Sequence, residues 1–209
     1  QSKNMRKELP TYTNKKLIEE VRLFLEWYWP VVYKKKPGKD VINEFIKIWN
    51  YLLNKSIKTR KVVVHRDFHI DNLFFLNKRK KLKSCGLIDF QDAVIGPSSY
   101  DLVSLLEDAR RNVNKKIIVK MYNKYTKKLT KNQKENFEKE YKVLSMNRHL
   151  KVIGIFTRLL IRDKKNSYIK HIPRLWKLVE HNSQFDELYE LNKWLKEYFP
   201  PRLRVKPKF

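Results

Sequence analysis

The 209-residue sequence has one cysteine, Cys85, and four glycines, Gly38, Gly86, Gly96 and Gly154. A lone thiol excludes an intramolecular disulfide and any zinc site built on clustered thiolates, and it suits a reducing compartment. Four scattered glycines exclude a phosphate-cradling loop, whose backbone must approach an anion closely at several neighbouring positions. No stretch approaches the roughly 20 consecutive apolar residues of a membrane-spanning helix. The polar, basic opening QSKNMRKELPTYTNKK also lacks the apolar region of a secretory signal. A cytoplasmic chain with no membrane partner is therefore expected. Acidic residues are scarce as well: 22 Asp plus Glu face 48 Lys plus Arg, a formal net charge of +26.

Such an excess can mark a nucleic-acid partner, because each neutralised phosphate releases counterions. Here the lysines run from Lys3 to Lys208 without gathering in one block. Their dispersal reads as surface composition, so a nucleic-acid partner is not expected, and runs such as Lys34 to Lys36 and Lys78 to Lys83 belong in solvated loops. The contrary reading, a non-catalytic basic module, would require the cations to form one continuous stripe with aromatic interleaving. With 42% hydrophobic and 13% aromatic residues the chain has ample material for a core, which excludes disorder.

Periodicity organises the chain. Thr13 and Asn14 precede a helical face of Leu17, Val21, Phe24, Leu25 and Tyr28, which Pro30 is expected to stop or to follow just past its end. Asp40 is expected to cap a second helix carrying Val41, Phe45, Ile48, Trp49 and Leu52. The period then shortens, and Val62 to Val64, Leu73 to Leu76 and Leu87 to Phe90 read as three short strands. Tyr100 to Ala109 and Ile117 to Tyr125 return to helix. Thr130 with Gln133 opens a long helix through about Leu160, Pro173 fits a first turn, and a last helix spans about Phe185 to Tyr198 before Pro200 and Pro201. The fold class expected is α+β, mainly α. Trp27, Trp49, Trp176 and Trp194 are expected in cores.

The chemistry gathers in VVVHRDFHIDNLFFL and GLIDFQD. Asp67 follows one strand, Asn72 opens the next, and Asp89 falls in the third, so three oxygen-bearing side chains meet at one loop mouth. Phosphoryl transfer asks for such a set: a carboxylate to orient a hydroxyl, plus an amide oxygen and a carboxylate to hold Mg²⁺, a hard cation that prefers oxygen. His69, Asp71, Gln91 and Asp92 lie within reach of the same mouth.

HRDFHIDN together with Ile88 to Phe90 resembles the catalytic and metal loops of the protein-kinase-like superfamily, in its aminoglycoside phosphotransferase branch. The longer string GLIDFQDAVIGPSSYDLVSLLEDARR, with HLKVIGIFTRLLIRD, is similar to the bacterial sugar kinases of cell-wall recycling that phosphorylate the anomeric hydroxyl of N-acetylmuramate and N-acetylglucosamine. The resemblance implies ATP and Mg²⁺ as cofactors and a small amino sugar as acceptor, with aminoglycoside, choline or homoserine as alternatives. It implies Asp67 as the catalytic aspartate, Asn72 and Asp89 as metal ligands, and Phe74 and Ile88 as the floor of the adenine pocket. It further implies that His65 braces the loop and that Asp101 hydrogen-bonds the loop backbone. An aspartate is a weak base, so alignment outweighs proton abstraction in the role of Asp67.

A complete enzyme of that kind carries a β-rich N-lobe with an anion-binding loop and a strand lysine paired to a helix glutamate. None of these features is recognisable before Val62. The expectation is therefore a phosphotransferase C-lobe over 1–209 with the N-lobe absent: a helical part at 13–57, the catalytic and metal loops at 61–97, and C-terminal helices at 98–199. Low or undetectable activity of the isolated chain and an exposed apolar surface where an N-lobe would dock follow from it.

Overall fold

The computed structural model describes residues 8–207. In chain order the main elements are α1 (Asn14–Val21), α2 (Trp29–Tyr33), α3 (Lys39–Ser56), β1 (Lys61–Val64), β2 (Leu73–Phe75), β3 (Cys85–Leu87), β4 (Val94–Pro97), α4 (Tyr100–Leu106), α5 (Lys115–Thr126), α6 (Lys131–Ile161), α7 (Ile172–Asn182) and α8 (Tyr189–Tyr198). The chain is mainly helical with small antiparallel sheets, as expected. Among the described residues no helix is long and apolar enough to cross a membrane. Two compact units share the chain: residues up to Tyr12 with Lys58–Tyr141, and Thr13–Ile57 with Lys142 onward.

The first unit holds all four strands, which form two sheets rather than one three-stranded insert. β1 pairs antiparallel with β4 from Lys61↔Pro97 to Val64↔Val94. Pro10 and Tyr12 clasp β4 through Ile95, with hydrogen bonds of 2.8 Å in each direction. β2 and β3 make a hairpin from Leu73↔Leu87 to Phe75↔Cys85. The third strand thus ends at Leu87, not Phe90, because Asp89 takes a left-handed conformation at φ 63 that a ladder cannot continue. The three expected strands include no counterpart of β4, whose Gly96 and Pro97 are poor strand formers. The Asn114 side chain caps α5 through Lys116 N at 2.8 Å. Thr130 and Gln133 close the expected capping box of α6, at 3.0 and 3.3 Å. The core beneath is Val103, Phe137 and Tyr141, joined by Leu102, Tyr122 and Leu129.

The second unit is built on rings. Phe24 lies 4.6 Å from Phe199 and Phe45 lies 4.8 Å from Trp194, centroid to centroid, with Tyr28, Trp29 and Trp176 around them. Trp49, Trp176 and Trp194 are buried as expected, and Trp27 is half-buried. Thr13 caps α1 through Lys16 N at 3.2 Å. Pro30 does not stop the first helix. After α1 the chain passes through a π-helical turn, Phe24–Tyr28, and α2 starts with Pro30 in its first turn, where a missing N–H costs nothing. The π turn lies where Gly154 of α6 meets the backbone of Leu23. Gly38 rather than Asp40 caps α3, leaving Asp40 in the first turn. Charge enters this interior at Lys151, whose Nζ donates to Glu20 Oε2 at 2.7 Å, both ends buried.

Candidate active site

Every site residue named from the sequence belongs to the first unit. β1 delivers the chain to His65, whose backbone N–H donates to Asp101 Oδ2 at 2.7 Å. The next N–H, of Arg66, donates to Asp101 Oδ1 at 3.1 Å. One carboxylate from the first turn of α4 therefore grips two successive peptide units, and it does so where Arg66 is left-handed at φ 71. The Arg66 guanidinium lies 5.5 Å from the Tyr12 ring and donates to the Asp92 carbonyl at 3.3 Å. His65 reaches the other way: its Nε2 is 2.9 Å from the carbonyl of Ile88. A carbonyl only accepts, so Nε2 carries the proton and the imidazole ties this loop to the one bearing Asp89.

Past Asp67 the chain turns tightly. His69 N–H donates to Asp67 O at 3.0 Å and Asn72 N–H to His69 O at 2.9 Å, closing the 3-10 turn Ile70–Asn72. Asn72 is buried, and its carboxamide nitrogen donates to Asp67 O at 3.0 Å and to Asp89 Oδ2 at 3.4 Å. Ile88 N–H donates to Asn72 O at 3.2 Å, and Gln91 Nε2 donates to Asp89 Oδ1 at 2.6 Å. Asp67, Asn72 and Asp89, separated by up to 22 residues in sequence, are thus linked through the single carboxamide of Asn72. Asp67 is half-buried and Asp89 exposed, so both carboxylates open to solvent.

The oxygens at this mouth belong to two carboxylates and a carboxamide, a hard donor set that fits Mg²⁺ and does not fit zinc. Among the described residues no group of three or more His, Cys, Asp or Glu is disposed to hold a metal on its own.

Phe74 lies opposite Gly86 in the hairpin and is exposed, as is Ile88. Ile70, Phe75, Leu87 and Phe90 are exposed too, Phe75 at 78% and Phe90 at 64%. Asp71 turns from the mouth to pair with Arg111 at 2.6 Å, with His69 Nδ1 3.9 Å from its other oxygen. Of the four outlying candidates, Gln91 bonds the Asp89 carboxylate through its side chain. Arg111 and Glu140 were not anticipated. Arg111 lay in a charged string without periodic signal, and Glu140 among the acids of a long helix.

An aspartate that follows a strand, a buried asparagine and a left-handed aspartate are thus joined at one loop mouth. The chain belongs to the phosphotransferase enzyme family known as APH, whose model matches residues 4–129. It is similar to proteins named N-acetylmuramate/N-acetylglucosamine kinase. That of Neisseria meningitidis serogroup B is 35% identical over 176 residues, 79% of this chain and 50% of that protein. Those of Caulobacter vibrioides and Pseudomonas aeruginosa are 32% and 31% identical, over 94% and 82% of this chain and 54% and 51% of theirs. The chain spans about half the length of the curated relatives it matches.

Proposed function

We propose that the chain is the catalytic lobe of an ATP- and Mg²⁺-dependent sugar kinase, transferring the γ-phosphate to the anomeric hydroxyl of N-acetylmuramate or N-acetylglucosamine in cell-wall recycling. The observation that carries this reading is the link through Asn72, which reaches the backbone of Asp67 and the carboxylate of Asp89 together. Asp67 orients the acceptor hydroxyl and receives its proton late in a loose transition state. Asn72 and Asp89 hold Mg²⁺, which supplies charge neutralisation on the phosphates. Phe74 and Ile88 offer the apolar floor for adenine. The acceptor comes from the names of the relatives and not from the geometry of the site.

In the same reading 1–209 corresponds to a C-lobe, and its partner is an N-lobe supplied by the same gene or by a separate chain. Three observations support this: relatives about twice the matched length, the lack of a glycine-rich anion loop, and the exposed apolar residues of the hairpin. ADP formation from ATP with N-acetylmuramate, N-acetylglucosamine and an aminoglycoside tests both parts, with the chain alone and fused to the N-terminal half of a relative. The fusion is expected to phosphorylate the amino sugars and the chain alone to be weak or inactive. Vigorous turnover by the isolated chain would overturn the lobe assignment. No turnover by a folded fusion on any acceptor would overturn the kinase assignment.

A further inference from the structure

We infer that Glu140, which lies outside the segment matched by the family model, is a positioning residue for the Asp67 loop. The inference deepens the proposed function and rests on it for the meaning of that loop. Glu140 is fully buried in the first unit, near the middle of α6. Its Oε2 accepts the backbone N–H of Thr59 at 3.0 Å, and its Oε1 accepts the hydroxyls of Thr59 at 2.6 Å and Ser99 at 2.7 Å. A buried carboxylate persists only where such donors replace its hydration.

The two partners decide what Glu140 does. Thr59 stands two residues before β1, the strand that leads into His65, and Ser99 stands two residues before Asp101. Asp101 in turn holds the N–H groups of His65 and Arg66. The connections close on themselves: Glu140 to Thr59, along β1 to the loop, across to Asp101, back to Ser99 and to Glu140. Thr59 Oγ1 also lies 3.0 Å from Ser98 Oγ, a strut across the same frame. Glu140 therefore fixes the spacing between the strand that presents the loop and the helix whose carboxylate grips it. Without it, the Thr59 N–H loses its acceptor and the grip of Asp101 loses its reference.

The chemistry gives a sharp expectation for variants. In Glu140→Gln the amide oxygen can face Thr59 N–H while the NH₂ donates to the two hydroxyls, which accept as readily as they donate, so the circuit survives. In Glu140→Ala it is cut. Val103→Ala, a cavity in the same unit's core, serves as a comparison that lowers stability without touching the circuit.

Backbone amide exchange and the NMR signal of the His65 ring Nε2–H, followed in the full 209-residue chain, read the loop directly and need no turnover. Glu140→Ala is expected to speed exchange of the His65 and Arg66 amides at least about tenfold beyond Val103→Ala and to shift or broaden the His65 ring signal. Glu140→Gln is expected to stay within about threefold of the parent chain. Should Glu140→Ala fail to fold, Glu140→Asp, one methylene too short to reach all three donors, is expected to give the same local loss. Uniform loosening indistinguishable from Val103→Ala, or undisturbed His65 and Arg66 amides, would overturn the inference. Those outcomes leave the kinase reading standing, whereas an inactive fusion with an intact circuit would sink only the kinase reading.

Discussion

The carboxylate of Asp101 accepts the backbone N–H of Arg66 at 3.1 Å, at a residue held left-handed with φ 71. Arginine in that conformation carries a steric cost of about 1–2 kcal/mol, and the hydrogen bonds to a charged acceptor offset it. Asp101→Asn presents an NH₂ to one of two N–H donors and cannot keep both bonds. A stability loss of about 1.5–3 kcal/mol is expected in denaturant titration, with the greatest gain in amide exchange at His65 and Arg66. An unchanged exchange rate at those two amides would show that the loop holds its shape without Asp101.

Substitutions at Asp89 and Asn72 test the proposed metal site apart from folding. Asp89 is exposed and left-handed, a conformation asparagine tolerates well, so Asp89→Asn is expected to fold as the parent does. Its affinity for Mn²⁺, followed by paramagnetic broadening of resonances around Gln91, is expected to fall at least about tenfold. Asn72→Ala removes a buried carboxamide with two acceptors and is expected to lose both metal binding and about 1–2 kcal/mol of stability. Equal Mn²⁺ affinity in the parent and Asp89→Asn would remove Asp89 from the ligand set.

Much of this was legible in the sequence, for identifiable reasons. The Thr130 and Gln133 capping box is a local pattern and appears where the pattern puts it. The stripes of α3, α7 and α8 follow apolar spacing, which burial enforces directly. What failed was local chemistry answering to distant neighbours. Pro30 looked like a stop or a residue just past the helix end, but the chain runs on through a π turn whose first residues lie against Gly154, more than a hundred residues away in sequence. Asp89 looked like strand, and its left-handed backbone is set by the His65 and Asn72 contacts on either side of Ile88. Glu140 carried no local signal, because its meaning lies in Thr59 and Ser99.

Gly154 makes the sharpest steric prediction. A Cβ there would sit 2.3 Å from the carbonyl carbon of Leu23 and 2.4 Å from its oxygen, both backbone atoms that cannot rotate away. Gly154→Ala must push the Leu23 backbone off α6, a change expected to cost about 1–3 kcal/mol or more. For a chain of this size that lowers the thermal midpoint by roughly 4–8 °C for a cost near 2 kcal/mol. Gly38→Ala, where the added carbon meets nothing within 4 Å, is the matching control and is expected to change the midpoint little. Equal melting of the two variants would refute the close approach.

Tyr28 should make the protein sensitive to alkali. Its phenol is pushed up to about 12 by burial, only partly opposed by hydrogen bonds from the Trp176 indole and from Val205 and by the Arg204 charge. In the unfolded chain a phenol titrates near ~10. Below that value both states hold the proton and the contribution is complete. As pH rises from about 10 towards about 12 the unfolded state releases its proton first, so stability falls, by at most about 1.4 kcal/mol per pH unit for this group. Tyr28→Phe cannot titrate and should flatten that limb. At neutral pH it should be less stable, because the hydroxyl that donates to the carbonyl of Leu203 or Val205, each 2.8 Å away, is lost and the Trp176 N–H loses its acceptor. Urea titrations at stepped pH measure the difference between the two chains. Parallel alkaline limbs would show that the Tyr28 phenol ionises in the folded protein as it does in the unfolded one.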